Sequence, residues 1–370
     1  MSDAIADLRE RIRAAAADHT PLRIRAGGSK DFYGNTPCGA VLDPRGVSGM
    51  VSYEPSELAL AVRCGTLLTE IEATLTVHGQ MLAFEPPHFG AAATIGGCIA
   101  SGMAGPRRAS VGYTHGGVRD FVLGARLLDG RAQLLSFGGM VMKNVAGYDV
   151  ARLLAGSLGT LGVIVEVSLK VVPRPRTETT LRFRIDEREA LVQLNAWAGR
   201  PLPISASAWQ SGTLHARLAG SAAAVAAAQA KLGGEALDEP AAERLWLELR
   251  EHTDAFFGGE APLWRLSLPP NAAPLELEAA QLIEWGGALR WLRSRRPATQ
   301  IRARAQALGG HATLFRDPAR APGARVTDAF TPLPPAVLAI HERLRAQFDP
   351  AGIFDAGRMY GAPRHADQAR

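Results

Sequence analysis

Three glycine-rich segments constrain what this chain can fold into more than any other feature of its sequence. They cover residues 26–29, 94–102 and 156–164, and 16 of the 39 glycines fall between Gly90 and Gly162. Glycine costs up to about 1 kcal/mol in a helix interior, so such segments suit places where the main chain lies close to a ligand. The GxxxxGKS/T spacing of a nucleotide P-loop and the GxGxxG of a Rossmann turn are absent. The pattern therefore favours an extended cofactor held by three separate loops.

Each segment supplies groups that suit a charged cofactor. Residues 25–30, Arg-Ala-Gly-Gly-Ser-Lys, follow a predicted strand, and their backbone N–H groups can form an anion nest beside a hydroxyl and an ammonium. Thr94 and Ser101 are hydrogen-bond partners in the second segment, and Lys143, before the third, can lie near an anionic ring or a carboxylate. Taken singly, these features also fit an ordinary turn, a tightly packed helix and a surface lysine. Together they favour one cofactor.

Composition excludes several classes of site. Cys38, Cys64 and Cys98 form no CxxC pair, which excludes a disulfide framework, a ferredoxin-type iron–sulfur motif and a zinc ribbon. No apolar run reaches the roughly 18 residues of a membrane span, and the N-terminus lacks the apolar core of a signal peptide, so we expect a cytoplasmic protein. The formal charge of +5 is modest and favours no nucleic-acid partner. Residues 290–296 are predicted to form a solvated basic segment or a docking surface for an acidic partner.

The composition changes near residue 177. All six tryptophans follow residue 196, and the sequence Pro-Arg-Pro-Arg at 173–176 resists helix formation and suits a stiff connector. We therefore expect a first domain over residues 1–176, a second over 177–332, and a C-terminal helix and tail over 333–370 that return to the first domain.

Hydrophobic periodicity predicts an α+β fold in both parts. In the first part, strands are predicted at residues 21–25, 50–53 and 163–171, with a helix after Thr66 that stops at Gly79. In the second part, strands are predicted at 181–185, 204–209, 213–218, 263–268, 288–292 and 311–315, with helices ending near 199, at 221–232, through 282 and from 298. This order predicts an antiparallel sheet with helices on one face, followed by a last helix at 335–348.

Five stretches of the sequence resemble the PCMH-type FAD-binding domain of the vanillyl-alcohol-oxidase-like FAD-linked oxidases. They are residues 94–102, 118–124, 143–149, 156–164 and 348–360. Within that family the likeness is strongest to the FAD-binding subunits of bacterial glycolate oxidases, and it covers nearly the whole chain. The resemblance implies a two-part PCMH-type FAD-binding domain, then an antiparallel-sheet α+β cap domain, then a short C-terminal helix and tail.

The resemblance also implies which residues hold FAD. It places the pyrophosphate on residues 26–30, further contacts on 88–97 and 100–103, and the backbone of 159–164 at the flavin or adenine end. Members with covalent flavin often carry histidine where Ser29 stands here, so we expect non-covalent FAD, with His115 left open as an attachment point. The implied cofactor-binding residues are Arg25, Ala26, Gly27, Gly28, Ser29, Lys30, Thr94, Ile95, Gly96, Gly97, Ser101, Gly102, Asp120, Gly159, Thr160, Gly162, Val163 and Ile164.

The resemblance leaves the catalytic residues open. Hydroxy-acid dehydrogenases of the family typically carry an HxGDGNxH segment that binds metal and helps to hold the substrate carboxylate. This sequence has no such segment, so no metal is expected. Oxidation of a 2-hydroxy acid needs a carboxylate clamp, usually arginine, and a base for the hydroxyl proton. The candidates that lie in or beside the family segments are Arg107, Arg108, His115 and Arg358.

The function implied by the resemblance is that of an FAD-binding subunit in a glycolate oxidase or dehydrogenase complex, supporting oxidation of glycolate, a small 2-hydroxy acid, to glyoxylate. A larger FAD-binding catalytic subunit and an iron–sulfur subunit are the implied partners. We expect a cytoplasmic location, with peripheral association at the inner face of the membrane through the complex left open. Two alternatives also stay open: a self-sufficient FAD-dependent D-2-hydroxy-acid dehydrogenase of the D-lactate type, and a non-catalytic structural subunit with a vestigial FAD site.

Overall fold

The computed structural model describes residues 2–110, 116–139, 149–319, 328–354 and 356–360. In these ranges two large sheets lie on either side of the Pro-Arg-Pro-Arg sequence. The elements before residue 174 are α1 (Ser2–Asp18), β1 (Leu22–Ile24), β2 (Ala40–Leu42), β3 (Met50–Glu54), β4 (Ala59–Arg63), α2 (Leu68–Val77), β5 (Gln80–Met81), α3 (Ile95–Ser101), β6 (Val122–Leu128), β7 (Leu134–Gly138), α4 (Val150–Leu153), β8 (Val163–Lys170) and β9 (Val172–Pro173). Those after it are β10 (Thr177–Arg184), α5 (Glu187–Ala198), β11 (Ile204–Gln210), β12 (Thr213–Gly220), α6 (Ala222–Leu232), β13 (Glu235–Ala236), α7 (Glu239–Glu251), β14 (Leu263–Ser267), β15 (Ala280–Glu284), β16 (Leu289–Arg293), α8 (Ala298–Ala307), β17 (His311–Arg316) and α9 (Pro335–Phe348).

The first large sheet is antiparallel, with the strand order β3-β4-β8-β6-β7. Its central strand β8 has the alternating apolar pattern that predicted it, and Val167 and Leu169 are fully buried. Both residues share a core with α2 and with α3, which contributes Ile95 and Ile99. This packing fixes α3, which carries most of the second glycine-rich segment, against the sheet.

Helix α1 and the C-terminal tail pack together beside β1. Leu8 and Ile12 of α1 are buried in one cluster with Ile353 and Phe354 of the tail. The Leu22 N–H donates to the Ile353 carbonyl at 2.7 Å, and β1 also pairs in parallel with β2. The strand that leads into the first glycine-rich segment is therefore held from two sides.

The second large sheet is antiparallel, with the order β13-β10-β12-β11-β15-β16-β14-β17. Helices α5, α6 and α8 pack on one face, as the element order predicted. Helix α7 packs on the opposite face, where Trp246 joins Trp291 of β16. Phe32, Tyr33 and Phe89 belong to the same cluster, so this face of the second sheet is covered by the first part of the chain.

Two predictions for the second part were wrong. The helix predicted through Leu282 is absent, since residues 270–279 form no helix or strand and residues 280–284 form β15. This strand pairs with β11 on one side and β16 on the other, and such pairing overrides a local pattern. Residues 290–296 are not a solvated segment as a whole, since Arg290 is fully buried and donates to the carbonyls of Ala272, Ala273 and Gly287. The domain division at residues 176 and 332 stays a prediction.

A buried ion-pair network joins the two parts of the chain. The Glu85 carboxylate accepts hydrogen bonds from Arg217 of β12 at 2.8 and 3.0 Å and from Arg107 at 3.2 Å. Arg107 also pairs with Glu178 of β10. Burial alone would raise the pKa of Glu85, but the two guanidinium groups outweigh burial and hold that pKa below its usual value. This network positions the second sheet over the first part.

Candidate functional site

The three glycine-rich segments converge on one groove in the first part of the chain. The backbone turns after β1, since Asp31 N–H donates to the Gly28 carbonyl at 3.1 Å, and this turn faces α3 and the loop before β8. Their contact with FAD stays a prediction, whereas their convergence is a feature of the structure. The predicted cofactor residues that line the groove are Arg25, Ala26, Gly27, Gly28, Ser29, Lys30, Thr94, Gly96, Gly97, Ser101, Gly159, Gly162 and Ile164.

The first segment approaches a neighbouring loop so closely that Gly27 cannot carry a side chain. A Cβ at Gly27 would lie 1.6 Å from the Ala92 carbonyl oxygen, and Gly28 has a φ of +70°. Both positions therefore require glycine, and the loop presents main chain to the groove. Main chain at such a turn suits the oxygens of a pyrophosphate.

Lys30 supplies a positive charge at this end of the groove. Its Nζ lies 3.3 Å from the His88 carbonyl oxygen, 3.4 Å from Ser29 Oγ and 5.4 Å from the Phe89 ring centroid. Burial lowers the pKa of Lys30, while Glu251 of α7 opposes that change. The Glu251 carboxylate itself accepts from the backbone N–H groups of His88 and Phe89. A half-buried cation beside a main-chain turn is a suitable environment for a phosphate.

In the second segment, close packing accounts for one glycine but not for its neighbour. A Cβ at Gly96 would lie 2.7 Å from Cys64 Cβ, so Gly96 lets α3 pack against the end of β4. At Gly97 the nearest atom is Thr94 Oγ1 at 3.4 Å, and this oxygen accepts the Gly97 N–H. Gly96 thus fits the interpretation of a tightly packed helix, and Gly97 keeps main chain at the groove.

The third segment is bound to the second through its backbone. The N–H groups of Gly156 and Leu158 donate to the carbonyls of Ile99 and Ala100 at 3.0 and 2.8 Å. Leu158 and Gly159 both have positive φ, of 51° and 79°. The chain therefore folds back sharply here before it enters β8, and the turn packs against Ile24, whose Cδ1 would lie 3.3 Å from a Cβ at Gly159.

Five predicted cofactor residues do not line the groove. Ile95 and Val163 are fully buried in the core, and the Thr160 hydroxyl donates to the Ser157 carbonyl at 2.8 Å. Gly102 lies in a second cleft, and Asp120 accepts the Gly117 N–H at 3.0 Å. The prediction covers whole segments, whereas alternate residues of a strand or helix face away from a ligand.

Several groove residues carry no signal that sequence reasoning used. Cys64 stands at the end of an apolar run just before Gly65-Thr66, which is the one local cue among them. Arg23 and Ile24 belong to the strand predicted at residues 21–25, Asp31 follows the first segment, and Pro37 and Pro44 lie on either side of β2. The lining residues that the prediction missed are Arg23, Ile24, Asp31, Pro37, Pro44 and Cys64.

The catalytic candidates have different surroundings. Arg107 belongs to the ion-pair network, and Arg358 donates to the carbonyls of Asn35, Lys30 and Asp31 at 3.1 to 3.2 Å. These contacts favour structural roles for both. His115 and residues 143–148 lie outside the described residues. Arg108 lines the second cleft.

This second cleft separates the first part of the chain from the second sheet. It shares Ser101 and Leu158 with the groove, so the two cavities adjoin. Its charged lining comes from Arg108 and Arg119 on one side and from Arg265 on the other, with His311 beside them. The arrangement offers positive charge next to the end of the groove.

Two kinds of feature are absent from the described part of the chain. No three histidine, cysteine or acidic side chains there gather closely enough to hold a metal ion. Within the same residues, every helix is too short or too polar to cross a lipid bilayer.

Known proteins share both the sequence and the fold of this chain. Residues 3–138 match the FAD binding domain family. Glycolate oxidase subunit GlcE of Escherichia coli (strain K12) is 46% identical over 353 residues, which cover 95% of this chain and 96% of that protein. Glycolate oxidase subunit GlcD of Bacillus subtilis (strain 168) is 30% identical over 186 residues, covering 50% of this chain and 38% of that protein. A solved structure of alkyldihydroxyacetonephosphate synthase superposes with a TM-score of 0.63 at 14% identity, covering 94% of this chain and 74% of that one.

These likenesses agree with the groove and confirm the α+β fold, with a PCMH-type FAD-binding part, that the sequence predicted. The match over nearly the full length of two chains assigns the family, whereas the distant structure supports the fold alone. The chain belongs to the FAD-linked oxidases, in the family of the glycolate oxidase subunit GlcE.

Proposed function

We propose that this chain is the FAD-binding E subunit of a glycolate oxidase complex and supports the oxidation of glycolate to glyoxylate. The observation that carries the proposal is the 46% identity to subunit GlcE along 95% of the chain. The groove adds an independent argument, since three distant segments meet there to present main chain and one lysine to an extended anionic ligand.

FAD fits the residues that line the groove. Gly27 and Gly28 present main chain to the groove, where backbone N–H groups can receive phosphate oxygens, and Lys30 offsets part of the phosphate charge. Bound FAD would accept a hydride from the hydroxy acid. Ser29 stands where a histidine would attach flavin covalently, so non-covalent binding is part of the proposal. The chain's own residues bind and orient the cofactor.

The complex that we propose contains a larger flavin subunit, related to GlcD, and an iron–sulfur subunit. The name of the 46% identical relative, a lettered subunit, supports a multi-subunit assembly. Cys64 and Cys98 are buried and Cys38 is exposed, and three cysteines are fewer than the four that iron–sulfur clusters usually take. Electrons from the reaction would therefore leave through a partner.

The absorption spectrum of the purified full chain, before and after heat denaturation, tests the cofactor assignment. We expect a flavin band that denaturation releases into solution as free FAD. A colourless chain that takes up no FAD on reconstitution would contradict the proposal. Co-expression with the GlcD-like and iron–sulfur subunits then tests the complex, which should reduce a dye only when glycolate is added.

A further inference from the structure

The second cleft has the charge distribution of a site for a small anion. Of the residues that line it, Arg108 belongs to a short turn at Pro106–Ser110 in the first part, and Arg265 lies in β14 of the second sheet. Neither an aspartate nor a glutamate is among the lining residues in the described part of the chain. The cleft is therefore positive on both sides.

The two arginines share one aromatic ring. The guanidinium carbon of Arg108 lies 4.5 Å from the Trp285 ring centroid, and that of Arg265 lies 5.3 Å from it. The ring is held by its own Nε1–H, which donates to the Gly105 carbonyl at 3.0 Å across the interface of the two parts. Stacking on a fixed ring restrains a guanidinium while leaving its N–H groups available for hydrogen bonds.

Neither guanidinium group forms an ion pair with a carboxylate of the described residues. None of those residues places a carboxylate oxygen within 4.0 Å of Arg108 or Arg265, although other arginines of the chain form such pairs. The acidic groups in their surroundings lie beyond that distance: Asp120, near Arg108, accepts the Gly117 N–H, and Glu284, near Arg265, accepts the Trp291 Nε1–H. Two half-buried, mutually repelling cations in such surroundings favour an external anion.

The position of the cleft suits a substrate. It meets the groove at Ser101 and Leu158, so a small molecule held by the two arginines would lie at the end of the proposed cofactor site. Planar guanidinium groups match a carboxylate with paired hydrogen bonds.

We propose that Arg108 and Arg265, stacked on Trp285, bind the carboxylate of a small 2-hydroxy acid, so that the substrate contacts this chain as well as any partner. The proposal rests on the proposed function for the identity of the acid. Its geometry does not depend on that function, since any small carboxylate of similar size would occupy the same cleft.

Titration calorimetry of the full chain with oxalate, a small carboxylate that cannot be oxidised by hydride loss, tests the proposal. We expect Arg108→Gln and Arg265→Gln each to weaken oxalate binding at least tenfold, and Arg265→Lys to weaken it less. The matched control is Arg295→Gln, since that side chain is 70% exposed and pairs only at 3.4 Å with Glu260. Unchanged oxalate affinity in both glutamine variants would overturn the proposal.

A second comparison needs no variant, so it holds even if a substituted chain fails to fold. The wild-type chain should bind glycolate, under anaerobic conditions, at least tenfold more tightly than glycolamide, which replaces the carboxylate by a neutral amide. Equal affinities, or no binding of oxalate at all, would refute the clamp. FAD content, measured separately on the same samples, reports on the proposed function, so failure of the clamp and failure of FAD binding are distinguishable.

Discussion

The two adjoining cavities, the groove and the second cleft, differ in the kinds of residue that line them. The groove is rich in glycine: six of the 22 residues that line it are glycines, and at Gly27 another loop comes too close for any side chain. The cleft contains two arginine side chains stacked on one ring, Arg108 from the first part of the chain and Arg265 from the second. Glycines in local segments mark a site made of main chain in the sequence. A site made of side chains depends instead on which distant segments pack together.

The largest effect is expected from replacing Gly27, one of the glycines that line the groove. We expect Gly27→Ala to abolish FAD binding, because the new Cβ would lie 1.6 Å from the Ala92 carbonyl oxygen and two backbone segments would have to separate. FAD content of the purified variant, measured after denaturation, checks this. Binding of oxalate in the cleft should change much less.

Gly199→Ala is the control for this substitution. Gly199 follows α5, and a Cβ added there would meet no atom of the described residues within 4 Å, so alanine should be tolerated with full FAD content. If Gly27→Ala retained FAD as well as the control does, the groove would not depend on close main-chain approach.

The contrast also explains how much of the molecule could be predicted from its sequence. The alternation of β8 and the periodicity of α9 are local, and both elements form at the predicted positions. The convergence of Gly27, Gly97 and Gly159 is also predictable, since glycine marks each place. The helix predicted through Leu282 is wrong because that residue's place in the sheet is set by pairing with β11 and β16, which no local pattern encodes.

The cleft could not be predicted as a site for the same reason. Arg108 is a candidate only through its neighbours in sequence, and Arg265 gives no signal at all. Their common partner, Trp285, becomes visible only when β14 and the end of β15 lie over the first part of the chain. Arg107, one residue away from Arg108, points instead into the Glu85 network.

Loss of the Glu85 carboxylate tests whether the two parts of the chain are held together at this point. Glu85→Gln should destabilise the chain by about 3 kcal/mol at pH 7, because it leaves buried Arg217 and Arg107 without their anion. Urea denaturation measures the difference. Oxalate affinity should fall more than FAD affinity, since only the cleft spans both parts.

The pH dependence of this effect follows from the lowered pKa of Glu85. A carboxyl whose pKa is lower in the folded than in the unfolded state stabilises the fold above the unfolded value, usually near 4.5, and this contribution disappears as the pH falls through the folded value. The free energies of unfolding of the wild type and of Glu85→Gln should therefore become similar at acidic pH. Glu260→Gln, at a side chain 92% exposed, is the control and should cost less than about 0.5 kcal/mol.

Removal of the groove cation should have a smaller effect. We expect Lys30→Gln to weaken FAD binding about tenfold, since one phosphate partner is lost while the main-chain cradle remains. A fluorescence titration with FAD checks this value, and Lys231→Gln, at an exposed residue of α6, should bind FAD as the wild type does. Equal affinity for both variants would mean that main chain alone holds the cofactor.

A second pH-dependent effect concerns Glu284, a buried carboxyl of the second sheet, and its sign should be opposite to that of Glu85. Burial raises its pKa to about 7, although Trp291 Nε1 donates to it at 2.7 Å and Arg265 lies nearby. A carboxyl whose folded pKa lies above its unfolded value of 4.5 destabilises the fold increasingly as the pH rises from about 4.5 to about 7. Above that range the cost is constant. The fold therefore favours the neutral carboxyl.

Glu284→Gln keeps an oxygen that can accept from Trp291 and removes the ionisation. By urea denaturation, the stability of the variant relative to the wild type should rise by about 2.5 kcal/mol between pH 5 and pH 8. Lower stability of the variant at pH 8 would instead mean that an ionised Glu284 pairs with Arg265. In that case Arg265 would have a carboxylate of this chain as its partner. The cleft would then no longer need an external anion, and the proposed carboxylate site would lose its argument.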